Sequence, residues 1–171
     1  MNSFKKVCGY MLLGGVLSTS VVQAKEVGKS TNDAIPAVED FTYEEVVTEI
    51  EEMVVDLVNI ERAKYNMQPL EMDIRLCEVS DVKAQDMSEN LYFSHYSPTY
   101  GSPFNMLKEF GISYYAAGEN IAKGQTLAAQ VVSQWMNSTS HRANILNPVY
   151  EHIGVGYEED RNIWVQLFAK F

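Results

Sequence analysis

The chain has 171 residues, 46% of them hydrophobic, and a formal net charge of −10 at pH 7. This length suits one domain with a sizeable core. The acidic balance argues against nucleic acid and anionic membrane surfaces as partners, because both are bound through clustered Lys and Arg.

Residues 1–24 predict a secretory signal peptide. Lys5 and Lys6 form a basic start, the uncharged apolar run VCGYMLLGGVLSTSVV follows, and Ala24 ends a cleavage site of small residues. That run is short for a membrane span, so an uncleaved anchor is the less favoured alternative. Residues 25–40 are polar, which is typical of a flexible linker. We therefore expect a secreted or envelope-associated domain over residues 41–171, without a stable membrane span.

Cysteine usage indicates a domain without disulfides. The chain has two cysteines, and Cys8 lies in the predicted signal peptide. Cys77 then stands alone, so an exported domain must depend on its core for stability. Because Cys77 lies in a helical pattern with no histidine near it in sequence, a half-buried structural thiol is favoured over a catalytic one.

Helical periodicity dominates the first half of the domain. Thr42 and Glu45 form a capping box that opens the first helix, which runs to about Tyr65. Its apolar stripe contains Val46, Ile50, Met53, Val54, Leu57 and Ile60 or Glu61. Asp73 caps a second helix, whose small stripe residues predict close packing against a neighbour. That second stripe contains Leu76, Ser80, Ala84 and Met87.

Strands are concentrated in the second half. Pro103 opens a short helix that Gly111 ends, and SYYAAGENIAKG predicts a strand with a bend at Gly118. Thr126 caps the helix TLAAQVVSQWMN, whose Trp135 is expected in the core. HIGVGY and IWVQLFAKF, divided by the turn EEDRN, predict a terminal hairpin. Helices precede strands without βαβ alternation, so the fold class is α+β, with helices on an antiparallel sheet.

His95, Glu119 and His141 are the candidate site residues, because each lies where polar side chains can converge over a rigid scaffold. Two imidazoles and a carboxylate form a zinc-type set with one open position, or an acid–base pair with an orienting carboxylate. Alternatively, either histidine satisfies carbonyls at a helix end, and Glu119 accepts backbone N–H groups. His152 has no partner pattern and is expected at the surface or a strand edge.

A serine nucleophile is a further alternative. Ser138 and His141 stand one helical turn apart, and Glu119 can orient the imidazole. However, no GxSxG-type elbow surrounds Ser138, so a serine that bonds the backbone at a helix end is favoured.

The motifs FSHYSP, AGENIAKG, WMNSTSHRANILN, HIGVGY and WVQLF occur in an order and spacing that resemble the CAP superfamily. This group contains the cysteine-rich secretory, antigen 5 and pathogenesis-related 1 proteins, which share the SCP domain. The SxxHRxNIL motif and the absence of disulfides resemble the bacterial branch. The resemblance implies a three-layer α-β-α sandwich, with helices on both faces of an antiparallel sheet.

The resemblance also implies a cleft that in some members holds a divalent cation between two histidines and two glutamates. His95 and Glu119 match the first histidine and the first glutamate, whereas Ser138 and Ile163 stand at the second glutamate and the second histidine. We expect His141 to enter the cleft instead. Metal ligation by His95, Glu119 and His141 is therefore expected to be weak, with a divalent cation such as zinc as the sole expected cofactor.

Two functions follow as expectations. The first is a non-catalytic exported module whose cleft binds a divalent cation, a small, lipid-like or sterol ligand, or a cell-envelope or host protein. Aromatic residues that suit apolar ligands flank the expected cleft. They are Tyr92, Phe93, Tyr96, Tyr100, Tyr114 and Tyr115. The alternative is an extracellular hydrolase, metal-assisted or acid–base, with His95, Glu119 and His141 as catalytic residues.

Overall fold

The computed structural model describes residues 47–171, which form five helices and four strands. In chain order these are α1 (Glu49–Lys64), β1 (Glu71–Met72), α2 (Ile74–Glu89), α3 (Pro103–Glu109), β2 (Ala116–Lys123), α4 (Ala128–Asn137), α5 (Thr139–Ile145), β3 (His152–Glu158) and β4 (Ile163–Lys170). The predicted signal peptide, the linker and the Thr42–Glu45 capping box lie outside the described residues.

The four strands form one sheet in the order β1-β3-β4-β2. β4 pairs antiparallel with β2 and with β3, so the predicted terminal hairpin is confirmed. β1 pairs parallel with β3, through Glu71 opposite His152 and Met72 opposite Ile153. The sheet is therefore mixed, and the prediction of a purely antiparallel sheet is wrong at this edge. Two residues between a proline turn and a helix cap are too short a run to be read as a strand.

Helices cover both faces of the sheet, which confirms the three-layer α+β sandwich. One hydrophobic cluster joins α1, α4 and α5 to the sheet, and a second joins α2 and α3 to the opposite face. Alternation along β4 divides its side chains between the clusters: Trp164 and Phe168 enter the first, and Val165 and Leu167 the second. The site is built around this covered sheet.

The glycines of β3 allow α2 to pack directly on the sheet. A Cβ atom on Gly154 would lie 2.3 Å from the backbone carbon of Leu76, and one on Gly156 would lie 2.4 Å from that of Ser80. The predicted α2 stripe is buried in full, and Asp73 caps the helix through the N–H groups of Arg75 and Leu76. The predicted close packing of α2 is therefore confirmed.

The first helix buries part of its predicted stripe: Val54 is fully buried, and Ile50 and Leu57 pack against the core. Met53 and Ile60 are exposed, whereas Glu51 and Arg62 are buried. Arg62 donates hydrogen bonds from Nε to the Gln68 carbonyl at 2.8 Å, and from Nη1 to the carbonyls of Ile145 and Asn147 at 2.7 and 3.1 Å. Burial of a charged side chain is tolerated because such bonds replace its hydration, and the apolar pattern alone did not predict them.

Two further local predictions are wrong. α4 begins at Ala128 after the N-cap residue Leu127, so Thr126 is not its cap. β2 continues through Gly118 without a break in its pairing with β4, so the glycine marks no bend. A Cβ atom at Gly118 would lie 2.5 Å from the Tyr150 hydroxyl, so this glycine makes room for a side chain.

Candidate functional site

His95 and Glu119 are in direct contact. Nδ1 of His95 lies 2.6 Å from Oε1 of Glu119, joining the loop after α2 to the middle of β2. Glu119 pairs with Leu167 across the sheet and so faces the layer of α2 and α3. The carboxylate side chain is 2% exposed and the imidazole 55% exposed. A buried, fixed carboxylate therefore holds a solvent-accessible ring whose Nε2 edge is directed away from the bond.

The electrostatics of this pair favour a protonated imidazole. The hydrogen bond that the His95 ring donates to Glu119 raises the pKa of His95, and the carboxylate's charge adds to this effect. Burial and the positive charge of Lys83 oppose it. The second oxygen of Glu119, Oε2, is buried and has no hydrogen-bond partner among residues 47–171.

Lys83 is a site residue that the sequence analysis missed. It is fully buried on α2, and its Nζ donates hydrogen bonds to the Tyr92 hydroxyl at 3.1 Å and to the His95 carbonyl at 3.2 Å. Burial lowers the pKa of Lys83, against the charges of Glu119 and Asp86. The signal that could have found Lys83 is its position in the helix: it is next to Ala84 and one turn after Ser80, two residues of the predicted buried stripe.

Asp86 anchors the loop that carries His95. Its carboxylate accepts hydrogen bonds from Ser97 Oγ at 2.7 Å, from Thr99 Oγ1 at 2.8 Å, and from the hydroxyl of Tyr92. Burial acts to raise the pKa of Asp86, but these hydrogen bonds together lower it. A charged acceptor with several donors is a strong tether, so the loop is held in place by polar bonds from α2.

His141 lies in α5, and its environment is the reverse of that of His95. Burial lowers the pKa of His141, and the positive charge of His95 lowers it further. The charge of one imidazole thus acts on the pKa of the other. The His141 carbonyl accepts a hydrogen bond from Nδ2 of Asn120 at 3.1 Å, while Nδ1 of its ring is buried without a partner in the described part of the chain.

Ser138 does not engage His141. Its hydroxyl lies 3.4 Å from that of Ser140, its N–H donates to the Trp135 carbonyl at 3.1 Å, and its carbonyl accepts from the N–H of Arg142 at 2.8 Å. Ser138 is the N-cap residue of α5, but its hydroxyl bonds no backbone group among the described residues, so the predicted bond from this serine to the backbone is not found either.

The residues present do not make a preformed cation site. Within residues 47–171, no group of three or more His, Cys, Asp and Glu side chains is arranged to hold a metal ion. The Glu119 carboxylate is hydrogen-bonded to Nδ1 of His95. Ile163, which stands at the position of the family's second histidine, is fully buried in the apolar cluster under α2. A carboxylate that is bonded to Nδ1 in this way orients the ring, as outer partners do in many histidine sites.

The remaining predicted residues divide between core and surface. Tyr92, Tyr100 and Tyr114 pack against the cluster under α2, whereas Phe93, Tyr96 and Tyr115 are exposed. Exposed aromatics thus occur on both sides of His95 in sequence.

Cys77, Trp135 and His152 lie outside the cleft. Trp135 is fully buried, as predicted. Cys77 is also fully buried, and burial raises the pKa of its thiol to about 12, so it is a structural residue. His152 lies where β3 pairs with the edge strand β1. Its Nε2 is 3.9 Å from Oε2 of Glu71, and its ring centroid is 4.7 Å from that of Phe171.

Comparisons with known proteins agree with this architecture. Residues 55–168 match the model of the cysteine-rich secretory protein family, CAP. YkwD of Bacillus subtilis is 56% identical over 122 residues, which are 71% of this chain and 48% of that protein. The membrane protein YlbC of Bacillus subtilis is 40% identical over 134 residues, 78% of this chain and 38% of that protein.

A solved structure of an SCP-domain protein has a similar fold. The crystal structure of an extracellular SCP-domain protein from Bacillus anthracis has a TM-score of 0.70 and 30% identity, covering 77% of this chain and 44% of that one. The chain belongs to the cysteine-rich secretory protein (CAP) family, and the relatives named here are bacterial. It matches about half or less of the length of these relatives. Among residues 47–171, no helix is long and apolar enough to cross a bilayer.

Proposed function

We propose that this chain is an exported, non-catalytic binding module whose cleft at His95, Glu119 and His141 holds a small ligand. The observation that carries the proposal is the 2.6 Å contact between the exposed His95 ring and the buried Glu119 carboxylate. Because Nδ1 is taken up by Glu119, Nε2 is the ring atom left to meet a ligand, and its direction is set in advance. Preorganised donors of this kind support binding at low entropic cost.

The chemistry around the ring supports an amphiphilic ligand with an anionic oxygen group. A protonated His95 donates from Nε2 to a carboxylate or phosphate oxygen, and His141, with its lowered pKa, adds a neutral polar contact. Phe93 and Tyr96 are exposed beside His95 and suit an apolar tail. We therefore propose a lipid-like acid as the ligand class, with a cell-envelope or host protein presenting such a group as the wider partner.

The test uses the ring signals of the chain's three histidines in an NMR titration of the purified protein. Decanoate is the probe for an amphiphilic acid, and inorganic phosphate is the probe for an anionic group without an apolar tail. Zn²⁺ is the probe for a divalent cation. Decanoate should shift the signals of His95 and His141 saturably, and more strongly than phosphate does. Binding should weaken as pH rises through the pKa of His95, whereas Zn²⁺ binding would strengthen because a metal requires the deprotonated ring.

Two variants make the titration specific. His95→Ala should abolish the decanoate response at His141. His152→Ala is the matched control, because it removes an imidazole beside a glutamate at the far edge of the sheet. Equal losses in the two variants, or an unchanged response in His95→Ala, would show that the ligand does not bind at this cleft.

Export is part of the proposal. The predicted signal peptide and the similarity to an extracellular protein support it, while the similarity to a membrane protein makes a direct test necessary. N-terminal sequencing of the mature protein from the culture medium should begin at Lys25. Protein found only in the membrane fraction, with its N-terminus intact, would contradict cleavage and release.

A second candidate function is hydrolysis by acid–base catalysis. The specific observation is that the environments of the two imidazoles push their pKa values apart, that of His95 upward and that of His141 downward. His95 would then be the acid and His141 the base. Peptide, ester and glycan substrates should be cleaved by the wild type and not by His141→Ala; activity that survives the substitution would come from a contaminant.

A further inference from the structure

Three amide side chains form a cluster that links the two halves of the cleft. Asn120 and Gln166 are fully buried, and Asn144 lies on α5. Nδ2 of Asn120 donates to Oε1 of Gln166 at 2.9 Å and to the carbonyl of His141 at 3.1 Å. Nδ2 of Asn144 donates to Oδ1 of Asn120 at 2.8 Å and to the carbonyl of Glu119 at 3.1 Å.

The alternation of β2 explains why this cluster reaches both halves. Glu119 faces α2 and the loop of His95, while Asn120 pairs with Gln166 and faces the layer of α5. Successive strand residues point to opposite faces of the sheet. Glu119 and Asn120 are consecutive, so each holds one of the two histidines from its own face. The carboxylate fixes His95, and the neighbouring amide fixes His141.

Asn120 is the single side chain in the described part of the chain that donates a hydrogen bond to His141. α5 has seven residues, and its other long-range polar ties bind Asn144 and the carbonyl of Ile145. Those ties lie one turn further along α5. Arg142, the next residue, donates from Nη1 to the Met136 carbonyl at 2.9 Å within the α4–α5 segment, so Asn120 is the contact that ties His141 itself to the sheet.

Two buried polar atoms next to this cluster make no hydrogen bond within the described part of the protein. Nε2 of Gln166 and Nδ1 of His141 are both buried and have no partner among residues 47–171. Buried polar atoms are usually paired, so these two atoms on either side of Asn120 are open to a hydrogen bond with water or a ligand.

We propose that Asn120 is a positioning residue of the cleft: it sets the location of the His141 ring relative to the His95–Glu119 pair and itself touches no ligand. This inference rests on the proposed function, because it assumes that a ligand meets both rings. It assigns to the amide cluster of Asn120, Asn144 and Gln166 the task of holding a strand and a short helix in register across the cleft.

The test compares Asn120→Ala with Asn59→Ala. Asn59 is the matched control, because its side-chain amide also donates to a backbone carbonyl and accepts one hydrogen bond: it bonds the carbonyl and the N–H of Leu70 at 3.0 and 2.8 Å, away from His95 and His141. Both variants should lose stability in urea. Only Asn120→Ala should move the ring signals of His141 in the ligand-free protein, and it should weaken decanoate binding about fivefold to tenfold, the factor that one lost hydrogen bond represents.

The outcomes separate this inference from the proposed function. If the wild type does not respond to decanoate, the proposed function fails, while the His141 signals of the ligand-free variants still decide the role of Asn120. A folded Asn120→Ala protein with wild-type His141 signals would overturn the inference. If Asn120→Ala does not fold, Asn120→Leu provides the same comparison, since it fills a similar volume but lacks the Nδ2 donor to the His141 carbonyl; unchanged His141 signals there would also overturn it.

Discussion

Alanine substitutions at Gly154 and Gly118 should differ sharply in cost, although both glycines are in the sheet. A Cβ atom at Gly154 would lie 2.3 Å from the backbone carbon of Leu76 and 2.4 Å from the backbone nitrogen of Cys77. Backbone cannot rotate away, so α2 must move off β3. We expect a loss of about 3 kcal/mol, the upper end for an overpacked core.

At Gly118 the added carbon meets the end of a side chain. It would lie 2.5 Å from the Tyr150 hydroxyl, which can swing away if it gives up its hydrogen bond to the Ala117 carbonyl. The expected loss is about 1 kcal/mol, the value of one hydrogen bond. Reduced freedom of the unfolded chain offsets part of the cost in both variants.

Urea unfolding of the two variants measures this difference. Gly154→Ala should have a lower midpoint than Gly118→Ala, with unchanged slopes, since both proteins expose the same surface on unfolding. The ring signal of His95 should move in Gly154→Ala, because α2 carries Lys83 and Asp86 beneath its loop. A Gly154→Ala protein within about 0.5 kcal/mol of the wild type would contradict the predicted clash between α2 and β3, because that is the range of neutral surface changes.

Three other predictions concern the buried polar groups. Glu119→Gln should lower the pKa of His95 in an NMR titration. Because Glu119 raises that pKa in the folded state, the contribution of the pair to the free energy of unfolding is full at low pH and is lost as pH rises through the folded pKa of His95. A Glu119→Gln protein whose stability keeps the pH dependence of the wild type would contradict this. Lys83→Met should speed hydrogen exchange around Tyr92 and His95 with little change in global stability, because removing a buried charge offsets the lost bonds; uniform acceleration across the domain would contradict a local role. Cys77 should react with thiol reagents only after unfolding, and rapid labelling of the native protein at neutral pH would contradict its burial.

Local signals in the sequence were strong enough to predict most elements. Asp73 caps α2, Pro103 opens α3, and the turn between β3 and β4 makes a hairpin, since each depends on residues adjacent in the chain. The contact of His95 with Glu119 came from the family's motif order, because spacing alone left other roles open. Short or polar segments that take their structure from a distant partner, as β1 does from β3, carry no such local signal.

Signals within the chain were enough for the class of the domain, for most of its helices and strands, and, through the family's motifs, for the pair His95 and Glu119. Tertiary structure decided which polar side chains are buried: Arg62 at the end of α5, Lys83 beneath His95, and Asn120 beneath His141. Apolar periodicity predicts such positions as exposed, because hydration is the default for a charge or an amide. Only hydrogen-bond partners supplied by distant segments make their burial favourable, and those partners meet only in the folded chain.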